Sequence, residues 1–200
     1  MKLCLIRHGE TAWALTGQHT GITDIGLTAR GEDDARALAP YLRTLALSQV
    51  LLSPRLRARQ TCELAGVAGA SVVEADLAEW DYGDYEGLRT ADIHRGNPEW
   101  NIWQDGCPGG ESPAQVSARA DRLISHLCTL QGTLALFSHG HFSVALAMRW
   151  IGLALIEGQH FALHTASVSL LGIDGQHQGR RIIELWNQRL NWPSSPSPTE

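Results

Sequence analysis

The sequence predicts an α/β fold, a three-layer α/β/α sandwich with a mostly parallel central sheet and a small loop and helix insertion at one edge. Short apolar runs, typical of buried strands, alternate along the chain with segments of helical periodicity. Two of these runs, residues 3–6 and 134–137, are each followed two residues later by His-Gly. The 200 residues are 44% apolar and 18% charged, which suits one domain with a sizeable core.

Six strands are predicted from apolar and β-branched runs that are bounded by turn residues. Their predicted bounds are 2–6, 49–53, 71–74, 133–138, 167–173 and 181–186. Because helical segments separate most of these strands, we expect a sheet that is mostly parallel and covered by helices on both faces.

Four helices are predicted between the strands. The first follows Thr28 as its N-cap, and the second begins at Ser53-Pro54, where proline fits the first turn. The third begins at Ser112-Pro113, and the fourth follows Gly140. Apolar stripes at helical spacing support the first, third and fourth helices: Ala35, Leu38, Ala39 and Leu42; Val116, Ala120, Leu123, Ile124 and Leu127; Val144, Leu146, Ala147 and Ile151.

We expect residues 1–190 to form a single domain. Residues 80–110 are rich in tryptophan, tyrosine and glycine and lack a clear periodicity, which predicts an insertion that lines or covers a site. We expect Trp80, Trp100 and Trp103 to line that pocket. Residues 191–200 are rich in proline and serine, which predicts a disordered tail.

Composition excludes several classes of protein. The formal net charge of −5 leaves no electrostatic footprint for nucleic acid, and no apolar stretch is long enough to span a membrane. The four cysteines form no CxxC pair, and the apolar start is too short for a signal peptide. We therefore expect a cytoplasmic protein without disulfides. The sequence shows no coiled coil or interface stripe and so predicts no oligomeric state.

Five polar residues stand at predicted strand ends, at a helix start or just before the insertion: Arg7, His8, Arg57, Glu79 and His139. In a parallel sheet these positions converge at one edge. Two guanidinium groups, two imidazoles and one carboxylate suit an oxyanion such as phosphate. A two-histidine metal site at His139 and His141 is the alternative, although no third ligand lies at suitable spacing.

Four motifs then resemble those of the histidine phosphatase superfamily, the phosphoglycerate mutase-like proteins. Arg7-His8-Gly9-Glu10-Thr11 resembles the family signature, and the segment 53–61 resembles its second-arginine motif, with Arg57 as the matching residue. The segment 77–87 places Glu79 at the position of the family's acid, and Ser138-His139-Gly140-His141 resembles the second-histidine motif.

The resemblance implies a mechanism without metal or cofactor. His8 would attack phosphorus to give a phosphohistidine, while Arg7 and Arg57 bind the phosphoryl oxygens and disfavour protonation of His8. His139 would add a further donor to the phosphoryl group. Glu79 would protonate the leaving oxygen and then activate water.

The resemblance also implies a substrate-binding set. Thr20, Gly21 and Tyr82 match positions at which relatives contact substrate, and we add His19 and Gly140 to that set. Glu86 is expected to support a loop, and His141 to form a wall.

The segments 79–87 and 100–107 are similar to sugar phosphatases of the sedoheptulose-1,7-bisphosphatase type. The span from Glu79 to His139 is shorter than in phosphoglycerate mutases, which favours hydrolysis. Val144 replaces an arginine that many family phosphatases carry, which weakens the case for a second phosphate, and His19, Arg89 or Arg95 could compensate. Ala14 replaces an asparagine of the mutases.

The sequence thus predicts a phosphatase that hydrolyses a small phosphorylated metabolite, a sugar phosphate or bisphosphate. Three alternatives stay open: a broad-specificity phosphatase, a phosphoglycerate mutase, and a binding module that captures phosphorylated ligands without turnover.

Overall fold

A six-stranded sheet forms the centre of the computed structural model, which describes residues 1–176 and 179–190. The strands are β1 (Lys2–Arg7), β2 (Leu47–Leu52), β3 (Ser71–Val73), β4 (Thr133–Ser138), β5 (Ser167–Asp174) and β6 (Arg180–Arg189). Their order across the sheet is β3-β2-β4-β1-β5-β6. The first four in this order are parallel, and β5 runs antiparallel to both β1 and β6. The predicted mostly parallel sheet is therefore confirmed, while the predicted tail, 191–200, lies outside the described residues.

Helices cover both faces of the sheet. They are α1 (Ala12–Thr16), α2 (Ala29–Arg36), α3 (Ala39–Thr44), α4 (Leu56–Leu64), α5 (Thr90–His94), α6 (Ile102–Asp105), α7 (Pro113–Leu127) and α8 (Gly140–Trp150). The single helix expected after Thr28 is two helices, because the chain turns at Ala37 and Leu38 and α3 restarts with Pro40 in its first turn. The predicted insertion contains the short helices α5 and α6.

The alternating side chains of β1 show how the three layers form. Leu3 and Leu5 join the apolar cluster under α7, α8 and the insertion, whereas Cys4 and Ile6 join a second cluster under α3 and α4. Fully burying each leucine or isoleucine side chain contributes about 1.5–3 kcal/mol. A register slip of one residue would exchange these faces, so the apolar pattern fixes the position of the strand.

The loop after β1 packs directly on α2 through two glycines. A Cβ atom on Gly9 would lie 2.4 Å from the Gly31 carbonyl oxygen, and one on Gly31 would lie 2.1 Å from the Glu10 carbonyl oxygen. Thr28, the N-cap of α2, donates its hydroxyl to the Glu10 carboxylate at 2.8 Å. These contacts hold the loop that follows β1 close to the sheet. Among the described helices, none has the length and apolar content needed to cross a membrane.

Candidate functional site

The two His-Gly sequences meet because β1 and β4 are neighbouring parallel strands. Arg7 is paired with Ser138, so the next residue of each strand, His8 and His139, leaves the sheet at the same edge. Their rings lie edge to face with centroids 5.2 Å apart, and the His8 backbone N–H donates to the Ser138 carbonyl at 3.0 Å. The structure therefore brings the two predicted imidazoles together.

One nitrogen of the His8 ring is hydrogen-bonded to the backbone, and the other keeps its lone pair. Nδ1 lies 2.7 Å from the Gly9 carbonyl oxygen, and because a carbonyl only accepts, Nδ1 carries the proton. Burial, followed by the positive charges of Arg57 and Arg7, holds the pKa of His8 well below 6.5. The ring is therefore neutral at pH 7, with an unprotonated Nε2.

His139 has both ring nitrogens engaged by the protein. Arg57 Nε donates to Nδ1 at 3.1 Å, so the neutral ring carries its proton on Nε2, which donates to Ser53 Oγ at 2.6 Å. Burial, followed by the charge of Arg57, holds the pKa of His139 well below 6.5. His139 is the N-cap residue of α8 and is fully buried.

Arg57, in the first turn of α4, is fully buried and binds a loop as well as His139. Its Nη2 donates to the carbonyl oxygens of Thr20 and Gly21, at 2.8 and 3.2 Å, and its Nη1 donates to that of Thr23 at 3.1 Å. Burial lowers the pKa of Arg57 from its usual value, although the guanidinium stays charged at neutral pH. In this structure the guanidinium therefore donates its hydrogen bonds to groups of the protein.

The Glu79 carboxylate lies at the N-terminus of α8. Oε1 accepts from the backbone N–H groups of Trp80 and Phe142, at 2.9 and 2.8 Å, and Oε2 accepts from that of His141 at 3.1 Å. Helix N-termini favour negative charge, so these bonds fix the carboxylate in place. A Cβ atom on Gly140 would lie 3.5 Å from Glu79 Oε2 and 3.4 Å from Arg7 Cζ, so glycine allows both groups to approach the backbone closely.

Most of the predicted site residues line one cavity of about 340 Å³. The predicted residues on its wall are Arg7, His8, His19, Thr20, Glu79, Tyr82 and Gly140. Gly21, Arg57 and His139 lie behind that wall and do not line the cavity. In this structure the second guanidinium and the second imidazole are fully buried, and their contact with a phosphoryl group stays a prediction.

Arg7 is the guanidinium that faces the cavity. Its Nη1 donates to the Leu163 carbonyl, and its Nε has no hydrogen-bond partner among the described residues. The segment that contributes Leu163 also supplies Gly158, Gln159 and Phe161 to the cavity wall. The sequence did not predict this segment, because it carries no motif. It binds Arg7 through a backbone carbonyl, which any residue could supply.

The opposite wall is a cluster of aromatic rings. His19 stacks on Tyr82 with centroids 4.7 Å apart, and the Tyr82 hydroxyl lies 2.6 Å from His141 Nδ1. Burial lowers the pKa of His19 and that of His141 to about 4, with neighbouring His141 and Arg7 adding to the respective effects. Burial, then the charge of Glu79, raises the pKa of Tyr82 well above 10. All three side chains are therefore neutral at pH 7.

The loop that carries His19 to Thr23 is fixed by Glu86. The Glu86 carboxylate accepts from the backbone N–H of Gly21 at 2.9 Å and from that of Thr23 at 3.0 Å, in the supporting position that was predicted. A Cβ atom on Gly21 would lie 2.5 Å from the Trp80 carbonyl oxygen, so only glycine fits there.

The predicted tryptophan wall is only partly correct. Trp103 lines the cavity, but the fully buried Trp80 donates its indole N–H to the Glu111 carbonyl in the core behind it. Trp100 lines a neighbouring cavity instead. The sequence could not separate these three because all lie in a segment without periodicity.

Of the three residues considered as replacements for the family arginine at Val144, His19 lines the cavity as a neutral ring, whereas Arg89 and Arg95 do not line it. Arg89 and Arg95 both bind the Asp92 carboxylate at the surface, and Arg149 binds Asp121. Val144 itself lies on the cavity wall. Among the residues that the structure describes, no cluster of three or more histidine, cysteine, aspartate or glutamate side chains is arranged to hold a metal ion.

Known proteins are similar to this chain in sequence and in fold. The histidine phosphatase superfamily (branch 1) matches residues 3–189. An acid phosphatase of Mycobacterium tuberculosis is 46% identical over 188 residues, covering 92% of this chain and 91% of that protein. Sedoheptulose 1,7-bisphosphatase of Saccharomyces cerevisiae is 35% identical over 186 residues, covering 77% of this chain and 69% of that protein. A solved structure of an open reading frame product from Mycobacterium tuberculosis has a TM-score of 0.89 at 41% identity, covering 94% of this chain and 98% of that chain. The family predicted from the motifs is confirmed: this chain belongs to the histidine phosphatase superfamily.

Proposed function

We propose that this protein is a phosphatase that hydrolyses a small phosphate monoester, a sugar phosphate, through a phosphohistidine on His8. The observation that carries the proposal is the fixed tautomer of His8. Its Nδ1 donates to the Gly9 carbonyl, so its Nε2 lone pair is free, and the Arg7 guanidinium lines the same cavity. A nucleophile and a cation for the phosphoryl oxygens thus border one cavity.

In the first step, His8 Nε2 attacks phosphorus in line, the N–P bond forms, and the bond from phosphorus to the leaving oxygen breaks. The Arg7 guanidinium donates to a phosphoryl oxygen and stabilises the charge of the transition state. Glu79, which lines the same cavity, gives a proton to the leaving oxygen. Arg57 and His139 join the phosphoryl site when they exchange their present partners, the loop carbonyls and Ser53, for phosphoryl oxygens.

In the second step, the Glu79 carboxylate takes a proton from water while the water oxygen attacks phosphorus. The N–P bond breaks, phosphate leaves, and His8 regains its lone pair. The backbone N–H groups of Trp80, His141 and Phe142 keep the carboxyl group of Glu79 in one position through both steps.

The size of the cavity and the relatives support a small substrate. About 340 Å³ lies at the low end of ligand-site volumes, about 300–1,000 Å³. One relative is named an acid phosphatase and another a sugar bisphosphatase. The lowered pKa of His8 keeps the nucleophile unprotonated below neutral pH, which fits activity in mildly acidic solution.

The test is phosphate release from p-nitrophenyl phosphate in the presence of a chelator, for the wild type and the His8→Ala variant. We expect the variant to lose at least about 10³-fold in turnover, because it lacks the nucleophile. His126→Ala, an exposed histidine on α7, is the matched control and should retain wild-type turnover. Near wild-type activity in His8→Ala would refute the proposal.

The same preparation separates the alternatives. Incubation with 3-phosphoglycerate should yield free phosphate, whereas a mutase would yield the isomer. Binding of orthovanadate without turnover of any monoester would indicate a binding module, and loss of activity with chelator would favour a metal site.

A further inference from the structure

A second cavity of about 410 Å³ opens beside the first. The two cavities share His19, Trp103, His141 and Gln159 in their linings, so the two spaces adjoin at these side chains. A phosphoryl group held at His8 and Arg7 therefore has a second space near it, which also contacts His19 and His141. The second cavity is further lined by residues of the insertion, among them Thr90, Trp100 and Asn101.

The described lining of this second cavity carries no lysine or arginine. The pKa values of His19 and His141, lowered to about 4 by burial, make both rings neutral at pH 7. Glu99 adds a carboxylate to the lining. A phosphate group carries two negative charges near pH 7 and would meet no lysine or arginine here. The third imidazole of the lining, His94, has its Nε2 bound to the Trp100 carbonyl at 2.9 Å, so the cavity disfavours a second phosphate.

The polar and apolar groups that are present suit an uncharged molecule with many hydroxyl groups. Two indole rings, Trp100 and Trp103, contribute a small apolar area to the lining, because both are buried by more than nine-tenths. The side-chain amides of Asn101 and Gln159 are hydrogen-bonded to each other at 2.9 Å and supply both donors and acceptors. Apolar walls with a few placed polar groups are typical of sites for small neutral ligands.

We infer that the second cavity binds the leaving-group portion of the substrate, and that this portion is an uncharged polyol, so that the substrate is a sugar monophosphate and not a bisphosphate. The inference rests on the proposed function and narrows it. The phosphate occupies the first cavity, and the sugar hydroxyls reach the amide of Gln159, which lines both cavities, and that of Asn101 in the second.

The first experiment compares kcat/KM for fructose 6-phosphate and fructose 1,6-bisphosphate. The wild type should prefer the monophosphate. Thr90→Lys places a cation at the exposed rim of the second cavity and should raise kcat/KM for the bisphosphate about tenfold, the gain of one charge-assisted hydrogen bond. Ser125→Lys adds the same charge on the exposed face of α7, lines neither cavity and should leave both values unchanged.

The second experiment tests which part of the substrate the cavity holds. Asn101→Asp keeps the side-chain oxygen that caps α6 but replaces the amide donor with a charge. We expect KM for fructose 6-phosphate to rise about fivefold or more, from the loss of one hydrogen bond. Inhibition by orthovanadate, which has no leaving group and fits the first cavity alone, should not change. Thermal denaturation of the variant checks that the fold is intact.

Several outcomes would overturn the inference: a wild-type preference for the bisphosphate, an unchanged KM in Asn101→Asp, or an equal loss of sugar phosphate and orthovanadate affinity. Failure of the proposed function would look different, because the wild type would then release phosphate from neither p-nitrophenyl phosphate nor a sugar phosphate. That result would overturn this inference as well.

Discussion

Replacing Arg57 with methionine removes the guanidinium that joins α4 to the loop at residues 20–23. The variant keeps most of the side-chain volume but loses hydrogen bonds to the carbonyl oxygens of Thr20, Gly21 and Thr23 and to His139 Nδ1. We expect a lower free energy of unfolding because these buried acceptors are left without a donor.

The size of the effect follows from the environment of the guanidinium. Hydrogen bonds to a charged group contribute about 1.5–3 kcal/mol each, and the recovered solvation of the lost charge offsets part of their sum. Removing one partner of a buried charged group typically costs about 3–5 kcal/mol. Taking about 3 kcal/mol, and about 2–4 °C per kcal/mol for a chain of this size, we expect the melting temperature to fall by about 6–12 °C.

The assay is thermal and urea denaturation followed by circular dichroism, without phosphate or substrate, so that lost ligand binding does not contribute. Arg59→Met is the matched control, because Arg59 lies on the same helix and is exposed, and it should change stability by less than about 0.5 kcal/mol. A melting temperature of Arg57→Met within about 2 °C of the wild type would refute the role assigned to these bonds.

Further predictions concern pH, the substrate loop and the thiols. In the folded protein the pKa of His19 and that of His141 are about 4, below the unfolded value of 6.5. Their contribution to the free energy of unfolding is therefore fully present above pH 6.5 and is lost as the pH falls toward 4. Urea denaturation should show a loss of about 2 kcal/mol per histidine between pH 7 and pH 5, and equal midpoints would contradict this. Glu86→Gln should cost about 1 kcal/mol in unfolding free energy and raise KM, since the loop loses its charged acceptor; an unchanged KM would count against that support. Ellman's reagent should titrate the exposed Cys128 alone in the folded protein and four thiols after denaturation. The reason is that burial raises the pKa of Cys4, Cys62 and Cys107 to about 12. More than one fast-reacting thiol in the folded protein would contradict the burial.

The strands could be predicted because burial on both faces leaves a continuous apolar run in the sequence, as in β1 and β4. The short helix α1 was missed, since five residues are too few to show a helical period. The break between α2 and α3 was also missed, although Pro40 signalled it, because the apolar stripe continues across the turn.

The residues of the candidate site that follow directly from strand ends could be predicted, and their partners could not. The positions of Arg7 and His8 follow from the end of β1 and the topology of the sheet. The bonds of Arg57 depend on the path of a distant loop, because their acceptors are backbone carbonyls with no sequence signature. The segment that contains Leu163 could not be predicted either, because it binds Arg7 through a backbone carbonyl.

The central position of β1 has a consequence for how the chain acquires its structure. The N-terminal strand lies between β4 and β5, so its neighbours are residues synthesised more than a hundred positions later. Closing such long loops is entropically costly and slows folding. During translation the apolar strand β1 therefore stays unpaired until β4 and β5 have left the ribosome, and in that period it is exposed to chaperones.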